Sequence, residues 1–226
     1  MLLRFPATLD RNQVARCRQF LETAPWAPGD PALGPGAGKV KNNVQVPEDH
    51  PTSRELSEMV TRAAMAQMRF QMAALPIRLR PPQFSRYGGG QFYDTHVDSA
   101  FMSVKGVAAP VRADLSATVF LSEPQDYDGG ELTLEDHGSA QSIKLPAGDM
   151  VLYPSTALHH VAPVTRGNRF VAFFWVQSMV RDDAQRTMLF DLDLCVRKVM
   201  TAMPNDVVVA ELTSVYENLL RRWGDS

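Results

Sequence analysis

Apolar and polar positions alternate through residues 114–122, and the β-branched content of that run fits the period of two, so it predicts a strand. Residues 131–134 and 150–153 predict two more, set off by turns at Tyr127-Asp128-Gly129-Gly130 and Pro146-Ala147-Gly148-Asp149. Residues 84–98 read as a strand, a glycine-rich turn and a second strand. Past the turn at residues 165–168, the run from Arg169 to Val176 is apolar on both faces, which predicts a strand covered on both sides. Short strands punctuated by Gly and Asp turns are what a sandwich or double-sheet jelly roll needs.

The period changes to that of a helix on either side of this region. Asp10 is placed to cap a helix running through Ala24, with Val14, Cys17, Phe20 and Leu21 on one face. Residues 52–55 (Thr-Ser-Arg-Glu) resemble a capping box for a longer helix carrying Leu56, Met59, Val60, Ala63, Gln67 and Phe70. Both helices are expected on the outer face of the larger sheet. Beyond Ser178, Met188, Leu189, Leu192, Val196, Val199 and Met200 predict one helix; Asn205-Asp206 marks a break; Leu212, Val215, Tyr216, Leu219 and Leu220 predict a second. The expected class is α+β with a mainly β core: a double-stranded β-helix (jelly roll) flanked by N-terminal helices and a C-terminal helical module. The expected division is a helical and loop region over 1–77, the jelly-roll core over 78–178 and the helical module over 179–226.

Composition narrows the class. A chain of 226 residues with 45% hydrophobic content can bury a full core. Its 23 basic and 25 acidic residues give no sign of a nucleic-acid groove, and Arg78 and Arg80 read as solvated. Cys17 and Cys195 are too few for a disulfide scaffold and fit a reducing cytoplasm. No stretch approaches a membrane span, and the first six residues are too short for a signal h-region.

The chemistry concentrates in His96-Val97-Asp98, in His159, and in Arg169 ten residues after that histidine. Residues i and i+2 of an extended segment share a face, so His96 and Asp98 can converge on one ion. A second imidazole completes a 2-His-1-carboxylate triad that leaves three octahedral positions open, the arrangement of a non-haem Fe(II) oxygenase. Arg169, permanently charged and forked, suits the distal carboxylate of 2-oxoglutarate. A lone H-x-D is a weak signal, since surface strands carry such residues freely. Asp94 shares the parity of His96, so geometry alone also permits an Asp94–His96 pair. On the 114–122 strand, Ser116 and Thr118 share a face with Phe120, and a hydroxyl there is placed to give 2-oxoglutarate a second hydrogen bond.

With these residues in view, the chain resembles the PKHD-type hydroxylases, bacterial relatives of the prolyl 4-hydroxylase-like Fe(II)/2-oxoglutarate dioxygenases. The resemblance runs over essentially the whole chain. Its marks include Lys41-Asn42-Asn43, Arg86-Tyr87, His96-Val97-Asp98, the 127–132 and 145–149 segments, Val164-Thr165-Arg166-Gly167 and Gln177-Ser178-Met179. It implies His96, Asp98 and His159 as iron ligands, Arg169 as the cosubstrate anchor, molecular oxygen as a reactant and L-ascorbate (vitamin C) as an iron reductant. It favours Asp98 over Asp94, and the spacing to Arg169 favours His159 over His160. In similar dioxygenases, tyrosines in the region of Tyr87 and Tyr93 reach the cosubstrate; the alternative is a buried aromatic whose hydroxyl finds a backbone partner. Some related enzymes use a tyrosine on the strand that here carries Thr118, which offers none.

The Gly- and Pro-rich linker over 27–38 reads as a mobile loop leading into Lys41, Asn42 and Asn43, either a substrate lid or a solvated edge strand. His50 and His137 read as exposed turn residues. The C-terminal helical pair is placed either to shield the core or to build a homodimer. Hydroxylation of a small-molecule or peptidyl substrate is the expected reaction. A cupin-like metal enzyme without 2-oxoglutarate and a non-catalytic iron-binding or sensing module are the competing classes.

Overall fold

The computed structural model describes residues 1–29, 41–136 and 139–225, so His137 and most of the 27–38 linker lie outside the described residues. Two antiparallel sheets face one another as a jelly roll. In spatial order the larger holds β1 (Leu3–Phe5), β14 (Met150–Pro154), β10 (Leu115–Phe120), β16 (Val164–Ser178), β6 (Gln83–Gly88), β4 (Val44–Gln45) and β2 (Ala27–Pro28). β11 (Tyr127–Gly129) and β5 (Pro76–Leu79) also pair with β16. The smaller sheet holds β13 (Ser139–Ile143), β12 (Leu132–Asp136), β15 (Leu158–Val161), β7 (Phe92–His96) and β3 (Lys41–Asn42). A separate hairpin of β8 (Phe101–Val104) and β9 (Val107–Arg112) follows β7. The sequence pattern predicts no strand there; Pro110 is tolerated because β9 is an edge.

The two-sided apolarity of β16 has a simple cause. Phe170, Ala172, Phe174 and Val176 point outward into a core shared with Cys17 and Leu21 of α1 (Arg11–Leu21), with Leu56 and Val60 of α2 (Pro51–Ala66), and with Phe70 of α3 (Met68–Ala74). The other face, with Arg169, Val171, Phe173 and Trp175, lines an interior cavity. Hydrophobic burial on the first face thus fixes the register that presents the second face to the site.

Asp10 caps α1 as expected, in a reciprocal box with Gln13 at 2.8 and 2.9 Å. The box expected at Thr52–Glu55 does not form: Pro51 occupies the first helical turn, and His50, half-buried against Phe20 rather than exposed, stands at the cap. The single long helix expected through Phe70 is two, because Gln67 takes an extended conformation (ψ 108°) between α2 and α3. Arg80 is buried, not solvated; it pairs with Glu48 at 2.6 Å and donates to the Ser103 carbonyl, while half-buried Arg78 donates to the carbonyls of Ala109 and Pro110. Both arginines fasten the β8–β9 hairpin to the core. α4 (Asp183–Ala202) and α5 (Val207–Trp223) form the C-terminal pair around Leu75, Val180, Leu189 and Trp223, and buried Arg186 ties α4 to the end of β16 through the Val180 carbonyl. Cys17 and Cys195 are both free thiols, and no described helix is long and apolar enough to cross a membrane.

Candidate metal and cosubstrate site

His96 closes β7, and Asp98 lies two residues beyond, where the chain has left the strand. The loop, rather than strand parity, therefore turns this carboxylate inward, with Val97 facing solvent at 48% exposure. His159 on β15 stands directly opposite His96 in the sheet register. Nε2 of each histidine is 3.8 Å from Asp98 Oδ1, and the three donor atoms lie within 4.8 Å of one another.

The other ring nitrogens decide what this cluster can hold. His96 Nδ1 is 2.7 Å from the Asp94 carbonyl and His159 Nδ1 is 2.9 Å from that of Ala157. A carbonyl only accepts, so both Nδ1 atoms carry hydrogen and both Nε2 lone pairs face Asp98. Burial, helped by neighbouring His159, holds the His96 pKa down to about 4, so the ring is neutral, as a metal ligand must be. Two imidazole lone pairs and one carboxylate oxygen on a common face suit a divalent transition metal. Asp94 contributes its carbonyl while its side chain is exposed. His160 turns away at a bulge toward Glu135, 3.9 Å off.

Arg169 presents the complementary chemistry. It is 2% exposed, and among the described residues no carboxylate lies within ion-pair distance and Nε has no hydrogen-bond partner. The guanidinium sits 5.2 Å from the Tyr87 ring and 5.4 Å from that of Phe120. A buried cation met by two aromatic faces and the Tyr127 hydroxyl, with no carboxylate beside it, calls for an anion. Gly130 (φ +67°) makes room for its stem: a Cβ there would stand 3.0 Å from Arg169 Cδ and 2.8 Å from Val164 Cγ2. The triad and Arg169 line one cavity of about 670 Å³.

The remaining expected residues divide. Tyr93 stacks on His96 with ring centroids 3.6 Å apart and supports Lys41 Nζ 5.6 Å above its own ring. Tyr87 lies beside Arg169, and burial pushes its hydroxyl pKa up. Thr118 lines the cavity, whereas Ser116 is committed to Asp98 through a 2.5 Å hydrogen bond. Asn43 is buried and lines the cavity; Asn42 is exposed and does not. Tyr153 was missed in the sequence. It lies on β14 opposite Ser116, edge-on to His159 at 5.2 Å, and burial raises its hydroxyl pKa strongly. The only signal for it was alternation with Val151, and that does not say which strand lies alongside.

Residues 82–177 match the family described as the 2OG-Fe(II) oxygenase superfamily, and residues 183–225 match the PKHD-type hydroxylase C-terminal domain. The chain is 50% identical to a PKHD-type hydroxylase of Methylobacillus flagellatus and 47% identical to PKHD-type hydroxylase PiuC of Pseudomonas aeruginosa, with each pair covered over the full length of both chains. The fold is similar to that of a Pseudomonas putida prolyl-4-hydroxylase, with a TM-score of 0.53 at 19% identity over 78% of this chain and 92% of that one. It is also similar to a Trichoplax adhaerens prolyl hydroxylase, solved with a hypoxia inducible factor peptide fragment, at a TM-score of 0.60 and 14% identity over 83% and 86%. HygX from Streptomyces hygroscopicus, solved with nickel and 2-oxoglutarate, gives 0.54 at 15% identity over 78% and 82%.

Proposed function

Since the chain belongs to the PKHD-type hydroxylases of the 2OG-Fe(II) oxygenase superfamily, we propose that it hydroxylates an organic substrate with molecular oxygen, coupled to decarboxylation of 2-oxoglutarate to succinate and carbon dioxide. Membership makes it an oxidoreductase that uses Fe(II) and 2-oxoglutarate, and sets aside the cupin-like and non-catalytic readings. The observation that carries the site assignment is the placement of an unpaired, buried Arg169 in the same cavity as the His96–Asp98–His159 cluster. In this reading His96, Asp98 and His159 hold the iron, and Arg169 holds the distal carboxylate of the oxo acid.

Bound iron, with the oxo acid and dioxygen, supplies the oxidising power that converts C–H to C–OH. The chain supplies position and exclusion of water. The Asp94 and Ala157 carbonyls fix both imidazoles. Tyr93 covers the open face of His96, and Tyr87 and Phe120 wall the guanidinium away from solvent. Tyr153 and Thr118, neighbours in the floor of the cavity, are placed to orient the oxo acid between metal and anchor. Lys41 and Asn43 border the substrate side, and Asn42 has no part there. L-ascorbate as iron reductant follows from the family resemblance. A cytoplasmic location fits the two free thiols. A homodimer through the C-terminal helices fits exposed Met188, Met200 and Val215.

The test is an anaerobic titration of Fe(II)-loaded protein with 2-oxoglutarate, following the visible charge-transfer absorption. The band is expected in the wild type, lost in Asp98→Ala and displaced to higher 2-oxoglutarate concentration in Arg169→Ala. Stoichiometric iron without a band would remove the assignment.

A further inference from the structure

The cavity is wider than the path from the metal cluster to Arg169. That path follows β16 from Phe173, the sheet partner of Thr118, back to Arg169. To one side the same cavity spreads over β6 and β4, beneath the β8–β9 hairpin, where neither the metal nor the oxo acid has an anchor. This wing has its own polar groups. Both carboxamide atoms of Asn43 (5% exposed) and Oγ of Ser85 (1% exposed) are buried and, among the described residues, make no hydrogen bond of standard geometry. Both side chains lie within hydrogen-bonding reach of the Tyr87 hydroxyl, whose one proton and two lone pairs leave part of their capacity for a ligand. The indole Nε1 of Trp175 is likewise buried and, among the described residues, unpartnered. Unmade bonds of this kind are costly, and several converging on one cavity mark where a ligand's polar atoms belong.

The charge on this side restricts the ligand. Arg80 is already neutralised by Glu48 at 2.6 Å, and Glu48 also takes the Gln83 amide. Arg80 lies over the Trp175 ring at 5.3 Å, so that cation is spent on the wall of the wing. The lip is apolar, with Val97 48% and Phe101 62% exposed beside the metal cluster.

We propose that the wing over β6 and β4 is the substrate subsite, and that it selects an uncharged, amide-bearing molecule over a free amine. Asn43 meets the amide with a donor and an acceptor, Trp175 Nε1 donates to a carbonyl, and Ser85 takes either role. An apolar portion of the ligand rests on Phe101. An ammonium here would lose its hydration beside the cations of Lys41 and Arg80, with Glu48 already paired to Arg80. The proposal rests on the dioxygenase reading only in using the metal cluster as the reacting end.

The experiment uses the full chain loaded with Zn(II) and 2-oxoglutarate. Saturation-transfer NMR compares N-acetylated, C-amidated amino acids with the same amino acids bearing free termini, and a blocked pentapeptide separates a peptide source from a small amide. Transfer is expected to the blocked amides and not to the free amino acids, weakened about tenfold in Trp175→Phe, which keeps the ring and loses the N–H, and in Asn43→Asp. 2-Oxoglutarate affinity, measured by calorimetry, is expected to hold within twofold in Trp175→Phe, showing that the protein is folded. Equal or better binding of free amino acids, no binding of any blocked amide, or amide binding indifferent to both variants would overturn the proposal. Blocked-amide binding without any 2-oxoglutarate binding would support the subsite and overturn the dioxygenase reading instead.

Discussion

Ser116 Oγ donates to Asp98 Oδ2 across 2.5 Å, and Ser155 Oγ lies 2.7 Å behind it. An ionised carboxylate only accepts, so the Ser116 proton is committed to Asp98 and Ser155 must donate to Ser116. The pair holds one carboxylate oxygen and leaves Oδ1 facing both imidazoles. Ser116→Ala is expected to weaken divalent-metal affinity by about 10- to 100-fold, the usual cost of losing a partner that orients a ligand. Mn(II) binding followed by electron paramagnetic resonance gives the value, and Ser116→Thr is expected to restore most of it. Unchanged affinity in the alanine variant would show that the loop alone sets Asp98.

Arg169 and Gly130 form one unit, because the glycine admits the arginine stem. Arg169→Lys keeps the charge and loses the fork, so 2-oxoglutarate binding is expected to weaken by about 100-fold, or about 3 kcal/mol. Gly130→Ala puts a methyl within 3.0 Å of Arg169 Cδ at φ +67°. It is expected to cost about 1–3 kcal/mol of stability and to weaken 2-oxoglutarate in parallel. Calorimetry on both variants checks this, and an Arg169→Lys protein with wild-type affinity would remove the bidentate role.

Cys17 packs in the core between α1 and the large sheet, and burial pushes its thiol up to about 12. Above about pH 9 the unfolded chain releases this proton while the folded protein keeps it. The unfolded state then binds fewer protons, so stability falls as pH rises from about 9 toward about 12. Chemical denaturation at pH 8 and pH 10 is expected to show this loss, and Cys17→Ala to reduce it. At pH 8 in native buffer a thiol reagent is expected to label exposed Cys195 alone, with Cys17 reacting only on unfolding.

Much of the site was legible because its chemistry needs particular residue types close together. A histidine, a carboxylate two residues later and a distant His–Arg pair carry the pattern whatever the backbone does between them. Where the reading erred, the deciding partner lay far along the chain or in a local competition. Arg80 looked solvated because Glu48 and the Ser103 carbonyl, which make its burial tolerable, come from other segments. The Thr52–Glu55 box lost to Pro51, whose fixed φ starts the helix about two residues earlier. Tyr153 escaped because sheet order, not sequence order, sets β14 beside β10. The helical stripes of α1 and α2 did locate the covering layer, since the face they bury is the one β16 presents outward.

The β8–β9 hairpin gives the last prediction. It forms its own two-stranded sheet, and its ties to the body include Arg80 Nε to the Ser103 carbonyl at 3.1 Å, Arg78 to those of Ala109 and Pro110 at 2.7 and 3.3 Å, Lys105 to Asp49 at 2.8 Å and Arg112 to the Ser178 carbonyl at 3.0 Å. A two-stranded unit is marginal by itself, so the Arg80 bond, at the cavity end, contributes to how often that end lifts. Arg80→Met fills similar space but loses the tie to Ser103 and leaves Glu48 without its cation. Faster amide exchange over residues 101–112, with little change in β10 or β16, is the expected result by hydrogen–deuterium exchange. Because Arg80 stands on the substrate side and Arg169 at the cosubstrate end, 2-oxoglutarate affinity is expected to stay within about twofold while blocked-amide binding weakens. Uniformly faster exchange through the large sheet would mean that Arg80 supports the whole core, and the hairpin would lose its role as a separately tethered cover.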